Sequence, residues 1–92
     1  MWRYPPDFVA ALAAFGLVPT SRTPPVLVRD ALNDLYRYEL RRLRDRYLAR
    51  AIAKPDYLAH VIVLRKKYWP LSLQIDGWER LCASTAAEPS SP

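Results

Sequence analysis

The longest uninterrupted stretch of this chain lies between two proline-marked boundaries. Pro24 and Pro25 stand before it, Pro55 closes it, and Val26 to Lys54 contains neither glycine nor proline. Proline removes a backbone donor and clashes with the preceding turn, and glycine loses the most freedom on ordering. Their joint absence over such a length therefore favours one continuous helix. The spacing predicts more than about six turns within that stretch. Val28, Leu32, Leu35, Tyr36, Leu40, Leu43 and Tyr47 form its apolar face, a stripe roughly 140° wide that suits a core-facing helix. Thr23 is placed to cap the first turn, with Pro24 and Pro25 inside it.

Shorter elements flank this helix. Pro5-Pro6-Asp7 opens a first helix striped by Phe8, Leu12 and Phe15. Gly16 suits the left-handed residue that ends it, Leu17 closes the cap, and Pro19 stops continuation. A third helix, about 55 to 68, begins at Pro55-Asp56 and ends in Arg65-Lys66-Lys67, with Pro70 behind it. Tyr57, Val61, Leu64 and Tyr68 mark one side of it, and Leu58, Ile62 and Trp69 an adjoining side. More than half its circumference is apolar, which predicts burial from two directions. Leu71 to Ile75 alternates apolar and polar residues and reads as a short extended segment. Asp76-Gly77-Trp78-Glu79 fits a capping box for a last helix carrying Trp78, Leu81 and Cys82. Ser84 to Pro92 is small, polar and proline-ended, and reads as a disordered tail behind a single helical domain at 1–83. The expected architecture is all-α, a small bundle built on a long-helix/short-helix antiparallel hairpin with flanking short helices. About 80 residues bury only about 60–65% of the surface their unfolded chain exposes, so a partner or self-association would add needed stability.

Charge is unevenly spread. The chain of 92 residues carries a formal net charge of +5, yet residues 1–36 sum to zero, 37–67 to +7 and 68–92 to −2. Arg37, Arg41 and Arg44 fall opposite the apolar stripe, with Arg42, Arg46 and Arg50 nearer its edges and Arg41 in reach of Asp45. Such a face reads as solvated surface, as a match for an acidic protein surface, or as a phosphate-binding patch. Glu39 falls inside the apolar stripe. A buried carboxylate needs a cation, and Arg65 is the first candidate, ahead of Arg46 and Arg50 on the same helix.

Other chemistry is thinly represented. Cys82 is the single cysteine and His60 the single histidine, which leaves no disulfide framework and too few ligands for a His/Cys zinc site. Gly16 and Gly77 are far apart, and there is no phosphate loop or G-x-S-x-G elbow. No cofactor, metal or catalytic constellation is expected. Cys82 reads as a packing residue and His60 as a surface residue flanking the third helix. The longest uncharged run, Phe8 to Ser21, is 14 residues and contains Gly16 and Pro19, too short for a membrane span of about 20 residues. The expected location is cytoplasmic.

Tryptophan, tyrosine and arginine are enriched at binding hot spots. Trp2, Tyr38 and Trp69 are hard to place inside one small core. With Arg37, Arg41, Arg44, Lys66 and Lys67 they are the candidate partner-binding residues. Leu35-Tyr36-Arg37, followed by Leu40-Arg41-Arg42, locally resembles the signature of LYR-motif proteins. Those are small, basic, helical assembly adaptors that bind acyl carrier protein or iron–sulfur biogenesis machinery. That family places the tripeptide near the start of its first helix with a phenylalanine downstream. Here it stands well inside the second helix, and Phe8 and Phe15 both precede it. Membership is not assigned, though the resemblance agrees with an adaptor. The expected function is a non-enzymatic helical accessory subunit or adaptor that docks on a larger protein or associates with itself. The alternative is a nucleic-acid-associated protein contacting phosphate through Arg37, Arg41, Arg44, Lys66 and Lys67.

Overall fold

The computed structural model describes residues 1–83, and the predicted tail at 84–92 lies outside them. The described residues form four α-helices: α1 (Pro6–Ala13), α2 (Pro25–Leu48), α3 (Lys54–Lys67) and α4 (Ile75–Cys82). A 3-10 turn, Trp69–Ser72, joins α3 to α4. The fold is a small all-α bundle on the α2–α3 antiparallel hairpin. α2 is its spine and contacts α3, the 3-10 turn and α4.

The first helix ends as its sequence dictates. Gly16 takes φ +77°, and the Leu17 and Gly16 amides donate to the Leu12 and Ala13 carbonyls, each at 3.0 Å. This is a Schellman closure, with glycine where a Cβ would be strained. Leu17 then turns back onto the core.

α2 stops six residues short of Lys54. Ala51 N–H donates to the Arg46 carbonyl at 2.8 Å and Arg50 N–H to the Tyr47 carbonyl at 2.9 Å, while Arg50 itself sits at φ 62°. The same closure that Gly16 makes in α1 is made here by an arginine, so no glycine marked it. Pro55, second in α3, cannot join a continuous ladder, and the chain must reverse before it. Thr23 does not cap α2. Pro24 is the residue before its first turn, and the Thr23 hydroxyl instead accepts the Thr20 amide at 3.0 Å in the preceding loop.

The segment after α3 also differs from its pattern. Leu71 and Ser72 lie in the 3-10 turn and only Leu73 and Gln74 are extended, because Pro70 is buried and directs the chain inward. α4 begins at Ile75 with Gln74 before it and no side-chain cap, so Asp76 is already inside the helix and forms no capping box. Arg29 stabilises this junction. Its Nε donates to the Leu73 carbonyl at 2.9 Å and its Nη2 to the Leu71 carbonyl at 3.4 Å.

The core gathers at one end of the hairpin. Tyr4, Phe8, Leu12, Val28, Leu32, Tyr68, Trp78 and Cys82 form one buried cluster, and Trp78 is fully enclosed. Its indole Nε1 donates to the Pro70 carbonyl at 2.8 Å, and Phe8 meets the ring edge-to-face at 5.0 Å. Cys82 is buried as expected, but Leu81 faces outward because it sits on the other side of α4. The first residues seal this end. Trp2 N–H donates to the Ser21 carbonyl at 2.8 Å, Arg3 N–H to the Cys82 carbonyl at 2.7 Å, and the Tyr4 hydroxyl to the Thr23 carbonyl at 2.6 Å.

Trp78→Phe should lower the unfolding free energy by about 2–3 kcal/mol in urea titrations, because it removes the shorter of the two hydrogen bonds to the buried Pro70 carbonyl, leaving only the Leu73 amide at 3.3 Å, and leaves unfilled space. Arg50→Gly should raise it by about 0.5–1 kcal/mol, relieving the left-handed residue at the hairpin turn.

Candidate functional site

The far half of the hairpin has only two layers. Leu43 is buried between α2 and α3, and Tyr47 stacks on Tyr57 with ring centroids 4.5 Å apart. No residue of α3 is fully buried, contrary to the two-sided burial its pattern predicts. The side carrying Tyr57 and Leu64 packs towards α2. The second stripe finds no partner element among the described residues, and Leu58 is 49% exposed, Ile62 54% and Trp69 39%. Trp69, just beyond the end of α3, packs against Phe8 edge-to-face with ring centroids 5.1 Å apart.

The expected ion pairs are rearranged. Glu39 is only half-buried and pairs with Lys67 at 3.3 Å, not with Arg65, Arg46 or Arg50. It also accepts a hydrogen bond from the buried Tyr68 hydroxyl. The reason is position, since α3 brings its last turn over Glu39 and leaves Arg65 exposed. Lys67 is further engaged with aromatic faces, its ammonium 5.3 Å from the Phe15 ring centre and 5.7 Å from that of Tyr68. Arg41 and Asp45 do not pair, and among the described residues Lys67–Glu39 is the one salt bridge found. An exposed pair four residues apart gains little against solvent, so its absence is unremarkable energetically.

The arginines of α2 thus carry uncompensated charge. Arg37, Arg41 and Arg44 are exposed on the side away from the core, as is Lys66 at the end of α3. Arg42 lies over the half-exposed Tyr38 ring, 5.7 Å from its centre. Trp2 is half-buried against the loop before α2. It stands about 30 Å along the helix axis from Arg44, so the eight candidate residues do not make one surface.

A groove missed by sequence reasoning runs between the two helices. It encloses about 280 Å³ and is lined by Glu39, Arg42, Leu43, Arg46, His60, Val63 and Leu64. Leu43 and Leu64 lie deepest by burial, whereas Arg42, Arg46, His60 and Val63 are exposed at its margins. Val63 belongs to neither apolar stripe of α3, so periodicity gave it no role. Arg42 and Arg46 were legible only as two arginines one turn apart at the edge of the α2 stripe.

Three groups have perturbed acidity. Burial, then the hydrogen bond to Glu39 and its charge, raises Tyr68 well above the ordinary phenol range. Burial, with a smaller contribution from Cys82, pushes Tyr4 up to about 12. Burial also raises the Cys82 thiol, which makes it a packing residue rather than a nucleophile.

No family model matches the chain, and no curated protein or solved structure matches it either. The LYR-like tripeptide is accordingly a local feature. Leu35 and Tyr36 pack against the core, with Tyr36 5.1 Å from Tyr68, and Arg37 faces outward.

Unfolded tyrosine ionises near about pH 10, whereas Tyr4 and Tyr68 hold their protons beyond it when folded. Their stabilisation is complete below about pH 10 and lost as pH rises further, by up to about 1.4 kcal/mol per pH unit for each phenol. Urea unfolding across this range should show that fall. Tyr68→Phe should cost about 1–2 kcal/mol at neutral pH and flatten the alkaline slope.

Proposed function

We propose that the chain is a non-enzymatic helical accessory or adaptor subunit, cytoplasmic, that docks on a larger protein assembly or associates with itself. The observation that carries this reading is the unpartnered stripe of α3. Leu58 and Ile62 follow one another along α3, Trp69 stands just beyond its end in the 3-10 turn, and at least 39% of each is open to solvent. A lone exposed leucine is ordinary, but an aligned apolar row on an ordered scaffold is the form that binding surfaces take. Arg65 lies in the same row and Lys66 beside it, a polar border of the kind found at interface rims. No described helix is long and apolar enough to cross a membrane.

A nucleic-acid-associated role is the second reading. It draws on Arg37, Arg41 and Arg44, which are exposed along the outer side of α2 and have no acidic partner among the described residues. Salt separates the two, because phosphate contacts release counterions and weaken log-linearly with salt, whereas apolar docking does not.

Affinity purification from the native source at about 0.3 M salt, with light scattering on the purified chain, tests the choice. A co-purifying protein or a self-associated species should persist at that salt. It should disappear in Leu58→Glu/Ile62→Glu, whose stability should stay within about 0.5 kcal/mol because both residues are exposed. Recovery of nucleic acid alone, lost as salt rises, would overturn the adaptor reading.

A further inference from the structure

We infer that the groove between α2 and α3 is a second docking site, whose occupant is an amphipathic helix of a partner protein bearing acidic residues one turn apart. It goes beyond the adaptor reading, because Val63 stands about 100° round α3 from Ile62 and the groove therefore faces away from the Leu58–Ile62 row.

The charge pattern specifies the occupant. Arg42 and Arg46 both line the groove, and neither has an acidic partner among the described residues. Four residues separate them, which places their Cα atoms about 6 Å apart along the axis of α2. A partner helix lying along the groove repeats the same interval between carboxylates at i and i+4, so each arginine meets one acid. The guanidinium fork suits a carboxylate, and a pair formed against an apolar floor is less screened than one in open solvent.

The floor specifies the rest. Leu43 is buried and Leu64 half-buried beneath the groove, and Val63 is 60% exposed at its margin. These side chains offer contact to Leu, Ile or Val at i, i+3 and i+7 of a docked helix, and nothing to a sugar–phosphate backbone. The Glu39 carboxylate, held by Lys67 and Tyr68, also lines the groove, so the partner's acids lie towards Arg42 and Arg46 and away from it. The length is adequate as well, since the lining runs from Glu39 to Arg46 on α2, about two turns, the span of i to i+7 in a docked helix.

A helix-stabilised synthetic peptide, leucine at i, i+3 and i+7 with glutamate pairs at i and i+4, is the direct probe. It should be titrated against the full chain by fluorescence anisotropy, beside a peptide with lysine in place of each glutamate and a short duplex DNA. The glutamate peptide should bind, and the lysine peptide should bind at least about tenfold more weakly. Arg42→Glu/Arg46→Glu, with helical content verified by circular dichroism, should lose about tenfold or more for the glutamate peptide and gain affinity for the lysine one. Val63→Asp should weaken the glutamate peptide without exchanging the preference. The inference is overturned if neither peptide binds, if both bind alike, or if the double charge reversal leaves the preference intact. It is equally overturned if duplex DNA binds more tightly than the glutamate peptide and depends on the same two arginines. Leu58→Glu/Ile62→Glu should leave peptide affinity unchanged, so failure of the groove and failure of the α3 row are read separately.

Discussion

The buried indole of Trp78 ties together segments that have no other reason to meet. Its Nε1 donates to the Pro70 carbonyl at 2.8 Å, and its ring lies against Phe8. Pro70 cannot donate a backbone hydrogen bond, and its carbonyl, once buried, must accept one from somewhere. The Leu73 amide supplies one donor at 3.3 Å and Trp78 the shorter one from α4, and with it the 3-10 turn, α4 and α1 are held against the spine. Arg29 reinforces the same junction from α2 by accommodating the Leu71 and Leu73 carbonyls. In a domain this small, where core area is limited, one fully enclosed tryptophan with a satisfied N–H decides where the other elements sit.

The concentration of burial at that end has a consequence at the other. α1, α4 and the N-terminal segment all gather round the first half of α2, and the second half is left with α3 alone. Glu39, Lys67 and Tyr68 mark the transition, an ion pair and a hydrogen bond closing the core just where the third layer stops. Beyond them, Leu43 and the Tyr47–Tyr57 stack hold a two-helix arm whose outer surfaces are apolar on α3 and basic on α2. The arm is therefore both the least covered part of the molecule and the part carrying most of its charge. Its rigidity comes from the core behind it, which lets an exposed row keep its shape without a partner.

Much of the helical plan was legible because its signals are local. Pro5-Pro6, Pro24-Pro25 and Pro55 each stand at or next to a helix start, and Gly16 adopted the left-handed conformation its place suggested. Two local readings failed for a shared reason. Thr23 and Asp76 both bear plausible cap signals, but each helix start moved by one or more residues to suit its packing, and capping energies of about 1 kcal/mol are easily overridden. Arg50 was illegible in principle, since an arginine at φ 62° carries no compositional mark. For the candidate site, the exposure of Tyr38 and Trp69 and the free arginines of α2 follow the sequence pattern, whereas the groove does not. It is formed by facing sides of two helices, and no single periodicity contains both.

The sequence by itself determined that this chain is helical, where its helices begin to within a residue or two, and that its positive charge belongs to the second and third of them. Proline placement, apolar period and net charge per segment are properties of the chain in order, and need no third dimension. Only the tertiary structure decided which apolar stripe of α3 would be covered. Leu64 and Leu58 carry the same hydrophobicity, and the difference between them is that α2 lies on one side while no described element reaches the other. The net charge of +5 resolves in the same way into separate roles. Lys67 is withdrawn to Glu39, Arg29 to two backbone carbonyls, and Arg42 and Arg46 to the rim of a groove, because the position of each relative to its neighbours, rather than its charge, sets what it can meet.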